Sequence, residues 1–203
     1  MLQQQIDQNA RAGRLGALAP VLTFHSLVDF TVSTPAVVSA LYANLPANGS
    51  ELVLFDLNRN ARLGPMLRPA FSGKIERLLP APPRRFRVTV IANAGPDTRE
   101  VVERVVEAGA VEERSRPLGL DYPPEVYSLS HVAVPFPVTD ALYGMYPGPE
   151  ENYGVNFGAM AARGEIGALI VTLDSLIRVS SNPFYPYMIE RLEAPRPAAS
   201  AAK

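Results

Sequence analysis

Hydrophobic residues gather along this chain in short runs set off by Gly, Pro and Asn. Pro20 to Asp29 is a nearly continuous apolar run, as expected of a strand buried on both faces of a parallel sheet. Thr34 then caps a helix with Pro35 at its first position, where a missing N–H costs nothing. Val37, Leu41 and Leu45 recur at i, i+4, i+8 and give that helix one apolar face; Pro46 and Asn48-Gly49 end it. Glu51 to Asp56 reads as a second buried strand, so strand, helix and strand form a βαβ unit. Phe86 to Ala92 alternates, with Phe86, Val88 and Val90 on one face, which predicts a strand near a sheet edge.

The other segments are read from the same signals. Residues 2–15 predict a polar helix that Gly16 ends. Asp97 and Glu100 stand at capping-box spacing, predicting a helix that turns Val101, Val102, Val105 and Val106 inward and stops at Gly109. Val126 to Val134 is a fourth strand, and Asn182-Pro183 opens a last helix over residues 184–192. Residues 57–85 are irregular, with one short helix near 73–79. After Val134 the chain is rich in Gly, Pro and Tyr as far as Gly158, and Ile166 to Leu173 fits either a strand or a buried helix. From Ala194 the composition predicts a disordered tail over 194–203. The fold expected is α/β: a mostly parallel sheet flanked by helices, one domain over residues 1–193, with an irregular insertion.

Composition narrows the function. The 203 residues suffice for one sizeable core. A formal net charge of −1 supplies no basic excess for nucleic acid or anionic lipid, so neither is an expected partner. The apolar run Gly167 to Val171 is far too short to span a bilayer. The first residues lack a signal peptide's basic and apolar regions, and there is no cysteine; both features fit a cytoplasmic setting. Two distant histidines and no cysteine leave no metal-ligand spacing, and no cofactor is expected.

The candidate chemistry sits at strand ends. An apolar, β-prone run leads to His131 and a proline-broken loop follows it, the setting in which a strand end presents an imidazole to a cleft. Asp29 ends the first strand, and ligands of open α/β sheets bind outside the carboxyl ends of the strands. Asp29 can equally cap the helix near Pro35, and Asp56, which ends the second strand, is a rival acid. His25, inside the first strand, is expected to be buried and structural. Ser128 and Ser130 flank His131 without the glycines a nucleophile turn needs. Glu112-Glu113 and Arg84-Arg85 are expected to be solvated, and Tyr143, Tyr146 and Tyr153 to pack a loop.

Three segments carry a resemblance: Phe24-His-Ser-Leu-Val-Asp29-Phe-Thr-Val-Ser33, Leu52-Val-Leu-Phe-Asp-Leu-Asn-Arg59, and Ser128-Leu-Ser-His131-Val-Ala-Val-Pro-Phe136. In order and spacing they resemble the C-terminal half of an α/β-hydrolase of the esterase and lysophospholipase-like kind. The resemblance implies ester hydrolysis by a Ser-His-Asp triad, with Asp29 orienting His131 and a small ester or lipid-like substrate. The chain departs from the pattern in two ways. His131 follows its acid at an unusually long distance, which under the resemblance implies a large insertion over about residues 60–125, and no Gly-x-Ser-x-Gly occurs anywhere. The resemblance therefore implies that serine and oxyanion hole precede Met1, so that this chain is a fragment or one half of a split enzyme. A reading of another class is a non-catalytic α/β module that binds a partner or assembles into a homo-oligomer through an open sheet edge.

Overall fold

The computed structural model describes residues 2–27, 29, 32–57, 78–122, 137, 139 and 182–194. Helix α1 (Leu2–Arg11) leads through a 3-10 turn into strand β1 (Leu22–Ser26). Helix α2 (Thr34–Ala40) connects β1 to β2 (Glu51–Phe55). Strands β3 (Arg87–Asn93), β4 (Glu100–Val106) and β5 (Glu113–Asp121) follow, and helix α3 (Tyr185–Glu193) closes the described chain.

The five strands lie side by side in chain order, β1-β2-β3-β4-β5. β1 and β2 pair in parallel, as do β2 and β3; β3 pairs antiparallel with β4, and β4 with β5. The architecture is thus α/β, but the sheet is mixed rather than mostly parallel. The change of direction follows from the short connections after β3, because a tight turn can only return a strand antiparallel.

β2 shows why the sheet has two covered faces. All five of its residues are buried, and they alternate between two cores. Leu52 and Leu54 pack with Val38 of α2, Tyr42, Leu45, Phe86, Val88 and Val90. Val53 and Phe55 pack on the opposite side with Ile91, Val101, Tyr122, and Phe184 and Tyr187 around α3. A period of two on a strand with helices on both sides produces this division. Tyr42 fastens α2's side of the sheet, its hydroxyl meeting Thr23 Oγ1 at 2.8 Å and donating to the Glu51 carbonyl at 2.5 Å.

Several expectations are corrected. Residues 100–106 form β4 and not a helix. Four valines in seven residues lose side-chain freedom in a helix but suit a pleated surface, and Val101 and Val105 share a face with buried Glu103. The Glu100 N–H is held by Thr98 Oγ1 at 3.1 Å, and Gly109 at φ +77° turns the chain into β5 instead of ending a helix. β3 is central, because β4 and β5 extend the sheet beyond it. Residues 87–121, within the span expected as an insertion, belong to the sheet itself. β1 is buried only at His25 and Ser26 and is half-buried before them. The last helix forms as expected, with Asn182 Oδ1 accepting from the Phe184 N–H at 2.9 Å. The helix near 73–79 falls almost wholly outside the described residues, as do the strand over 126–134, the run Ile166 to Leu173, Tyr143, Tyr146, Tyr153 and the tail beyond Ala194.

Candidate functional site

The carboxyl ends of the parallel strands form one edge of the molecule, and the ladder fixes what stands there. The Leu27 N–H donates to the Phe55 carbonyl at 3.0 Å, and the Asp56 N–H donates to the Ile91 carbonyl at 2.8 Å. His25 and Ser26 of β1, Asp56 after β2 and Asn93 of β3 therefore come to the same edge, all four buried. Asn93 is held through its Nδ2, which donates to the carbonyls of Tyr122 at 2.8 Å and Thr98 at 3.2 Å.

Asp29 occupies the turn just beyond β1. Its N–H donates to the Ser26 carbonyl at 3.1 Å, and its Oδ1 accepts from the Val32 N–H at 3.0 Å. Thr34 Oγ1 reaches back to the Leu27 carbonyl at 3.3 Å, so the turn and the start of α2 form one hydrogen-bonded unit. Asp29 does not cap α2 itself: it organises the turn before the helix by accepting from Val32, one residue before Ser33, which flanks the helix. The carboxylate is half-buried beside a parallel strand's carboxyl end, a position from which it can orient an imidazole.

The described histidine nearest that acid is His25. It is 6% exposed, and its Nε2 meets no hydrogen-bond partner among the described residues. Burial lowers its pKa below the ordinary 6.5, and the charge of Asp29 opposes that shift. Burial was legible in the sequence; electrostatic contact with Asp29 was not. His131, Ser128 and Ser130 lie outside the described residues, so the structure brings Asp29 to His25 and places no second histidine. Asp56, the rival acid, is more deeply buried than Asp29.

A second polar group, which the sequence reading passed over, lies between the sheet and α3. Glu51 and Glu103 are buried carboxylates on that face. Glu51 Oε1 accepts from Thr89 Oγ1 at 2.7 Å, and its Oε2 is paired with Nη2 of Arg191. Glu103 Oε1 accepts from the Tyr187 hydroxyl at 2.8 Å, while Oε2 is paired with Nε of Arg116. Burial, reinforced by the Glu103 charge, pushes the Tyr187 phenol well above its usual range. Burial works against the Arg191 charge, but Glu51, Tyr187 and Glu103 more than offset it and raise its pKa. Each buried charge therefore has a partner, as a low-dielectric setting requires. The signal in sequence was faint: single acids inside valine- and leucine-rich strands, and Tyr187 and Arg191 at i, i+4 on one helix face.

Beside Glu51 and Arg191 a cleft of about 270 Å³ opens at the amino ends of β1, β2 and β3, also lined by Arg87 and Glu107. Arg87 Nε lies 3.5 Å from Glu51 and 3.7 Å from Glu107. Two arginines and two glutamates balance, so the cleft selects no charge. It lies at the opposite end of the parallel strands from Asp29. Among the described residues, no three His, Cys, Asp or Glu side chains are placed to hold a metal ion, and no helix is long and apolar enough to cross a membrane. The expected exposure of Glu112, Glu113 and Arg85 is observed; Arg84 is half-buried, with Nε donating to the Pro80 carbonyl at 2.7 Å.

No family model matches the chain, and neither the curated proteins nor the solved structures contain a match to it.

Proposed function

We propose that this chain contributes the acid and the histidine of a serine hydrolase that cleaves carboxylic esters, with Asp29 as the acid and His131 as the base. One observation carries the reading. Asp29 stands in the turn directly after a parallel strand, its carboxylate held by the Val32 N–H, at the edge where α/β sheets assemble ligand sites. In that role the carboxylate sets the tautomer of His131 and stabilises the imidazolium formed when the histidine takes the serine's proton. The serine and the oxyanion donors come from a segment outside these residues, since no Gly-x-Ser-x-Gly occurs among them. The substrate is a small ester or lipid-like ester, and a cytoplasmic setting is part of the reading.

The test is turnover of a short-chain p-nitrophenyl ester by the native protein, purified with whatever segment carries the serine. His131→Ala and Asp29→Asn are each expected to lower kcat at least about 100-fold without shifting Tm, whereas Asp56→Asn retains turnover. Unchanged kcat in His131→Ala would sink the assignment. The reading of a non-catalytic α/β module that binds a partner or itself draws on the edge of β1, which pairs with no further strand among the described residues.

A further inference from the structure

The cleft at the amino ends of β1, β2 and β3 is lined by two arginines whose hydrogen-bonding capacity is largely unused. Arg87 Nε is buried, and among the described residues it makes no hydrogen bond. Its carboxylate neighbours, Glu51 at 3.5 Å and Glu107 at 3.7 Å, stand at ion-pair distance only. Arg191 gives Nη2 to Glu51, while its Nε is likewise buried without a described partner. A guanidinium carries five donors in a rigid fork, and buried donors left unmade call for an explanation.

The two glutamates of the cleft are not equivalent. Glu51 has both oxygens engaged, Oε1 by Thr89 Oγ1 and Oε2 by Arg191, and its side chain is 12% exposed. The Glu107 side chain is 49% exposed, and among the described residues only Arg87 approaches it. What the cleft offers a ligand is therefore one loosely paired guanidinium beside one accessible carboxylate. Val21, Leu22, Ala108 and Ala194 supply apolar lining next to them. A ligand of a single charge is attracted by one of these groups and repelled by the other. A ligand carrying both charges on neighbouring atoms suits both. The volume of about 270 Å³ lies below the range that takes drug-sized ligands, so the occupant is small.

We propose that this cleft binds an α-amino acid with a short apolar side chain. Its carboxylate takes unused donors of Arg87, its ammonium takes Glu107, and its side chain lies along the apolar lining. The two charges of such a molecule sit on one carbon, which suits a guanidinium and a carboxylate 3.7 Å apart. Glu51 is a positioning residue: anchored by Thr89 and Arg191, it holds Arg87 at the cleft from the other side. The site lies at the opposite end of the parallel strands from Asp29 and does not depend on the hydrolase reading.

An NMR titration of the isotope-labelled 203-residue chain with L-valine tests it, beside isovalerate, which lacks the ammonium, and isobutylamine, which lacks the carboxylate. L-Valine is expected to bind saturably and to shift the amides of Leu22, Gly49 and Ala108. Each of the other two should bind at least about 10-fold more weakly, having lost one charge-assisted contact. Arg87→Gln should bring L-valine and isobutylamine to equal affinity, and Glu107→Gln should do the same for L-valine and isovalerate. Variants that weaken all three ligands by one common factor would reveal a structural role and overturn the assignment. If a variant fails to fold by circular dichroism, the three affinities in the unaltered chain decide. Isovalerate binding as tightly as L-valine identifies a plain anion site, and isobutylamine doing so a plain cation site; either overturns the proposal. So does the absence of saturable binding of L-valine at about 10 mM, or a set of shifts away from the cleft.

Discussion

His25 and Tyr187 show how burial sets the behaviour of single titratable groups. The folded pKa of His25 lies below its unfolded value of 6.5, so the unfolded chain binds its proton first as pH falls. His25 thus contributes stability that is complete above that unfolded value and is lost as pH drops through the lower folded one. Urea midpoints measured from about pH 7 down to about pH 5 should fall, and His25→Asn should flatten that part of the profile. An unchanged slope in the variant would mean that other groups set the acid limit. Tyr187 contributes differently, through its 2.8 Å bond to a carboxylate that is 1% exposed. Tyr187→Phe keeps the ring and removes one donor from Glu103, and should cost about 1–3 kcal/mol by denaturant titration. Asp29 pins the turn before α2 through its bond from the Val32 N–H, and under the proposed hydrolase reading the same anchoring would hold its carboxylate for an imidazole.

At the scale of elements, legibility followed the kind of signal. β1, α2, β2 and α3 were readable because apolar period, Pro35 and the Asn182 turn agreed locally. β4 was misread because Asp97 and Glu100 mimic a helix start, while four valines suit either period until a partner strand is known. Its partner is β3, and that antiparallel pairing is a tertiary fact that no local pattern encodes. The mixed direction of the sheet was hidden for the same reason. Of the candidate site, Asp29 at a strand end was legible from the apolar run that precedes it. The proximity of His25 to Asp29 was not, since it depends on a turn closed by the Val32 N–H. The Glu51 and Glu103 network stayed invisible because its members are scattered over four strands and a helix.

At the scale of the whole molecule, β2 belongs to both cores, so neither can be lost without disturbing the other. Among the described residues, the contacts that hold α3 are also the most distant in sequence. Arg191 reaches Glu51 across 140 residues and Tyr187 reaches Glu103 across 84, whereas β3, β4 and β5 meet through short turns. Closing a loop of such length costs more chain entropy than closing a hairpin, and long-range contacts form late when that cost must be met first. On this argument the β3-β4-β5 meander is expected to form before α3 docks. Arg191→Gln should leave the folding limb of a stopped-flow chevron nearly unchanged and speed unfolding about tenfold or more. Equal slowing of the folding limb would place α3 in the nucleus instead. The clamp between α3 and the sheet then acts as a kinetic latch, setting how long the finished protein lasts rather than how quickly it forms.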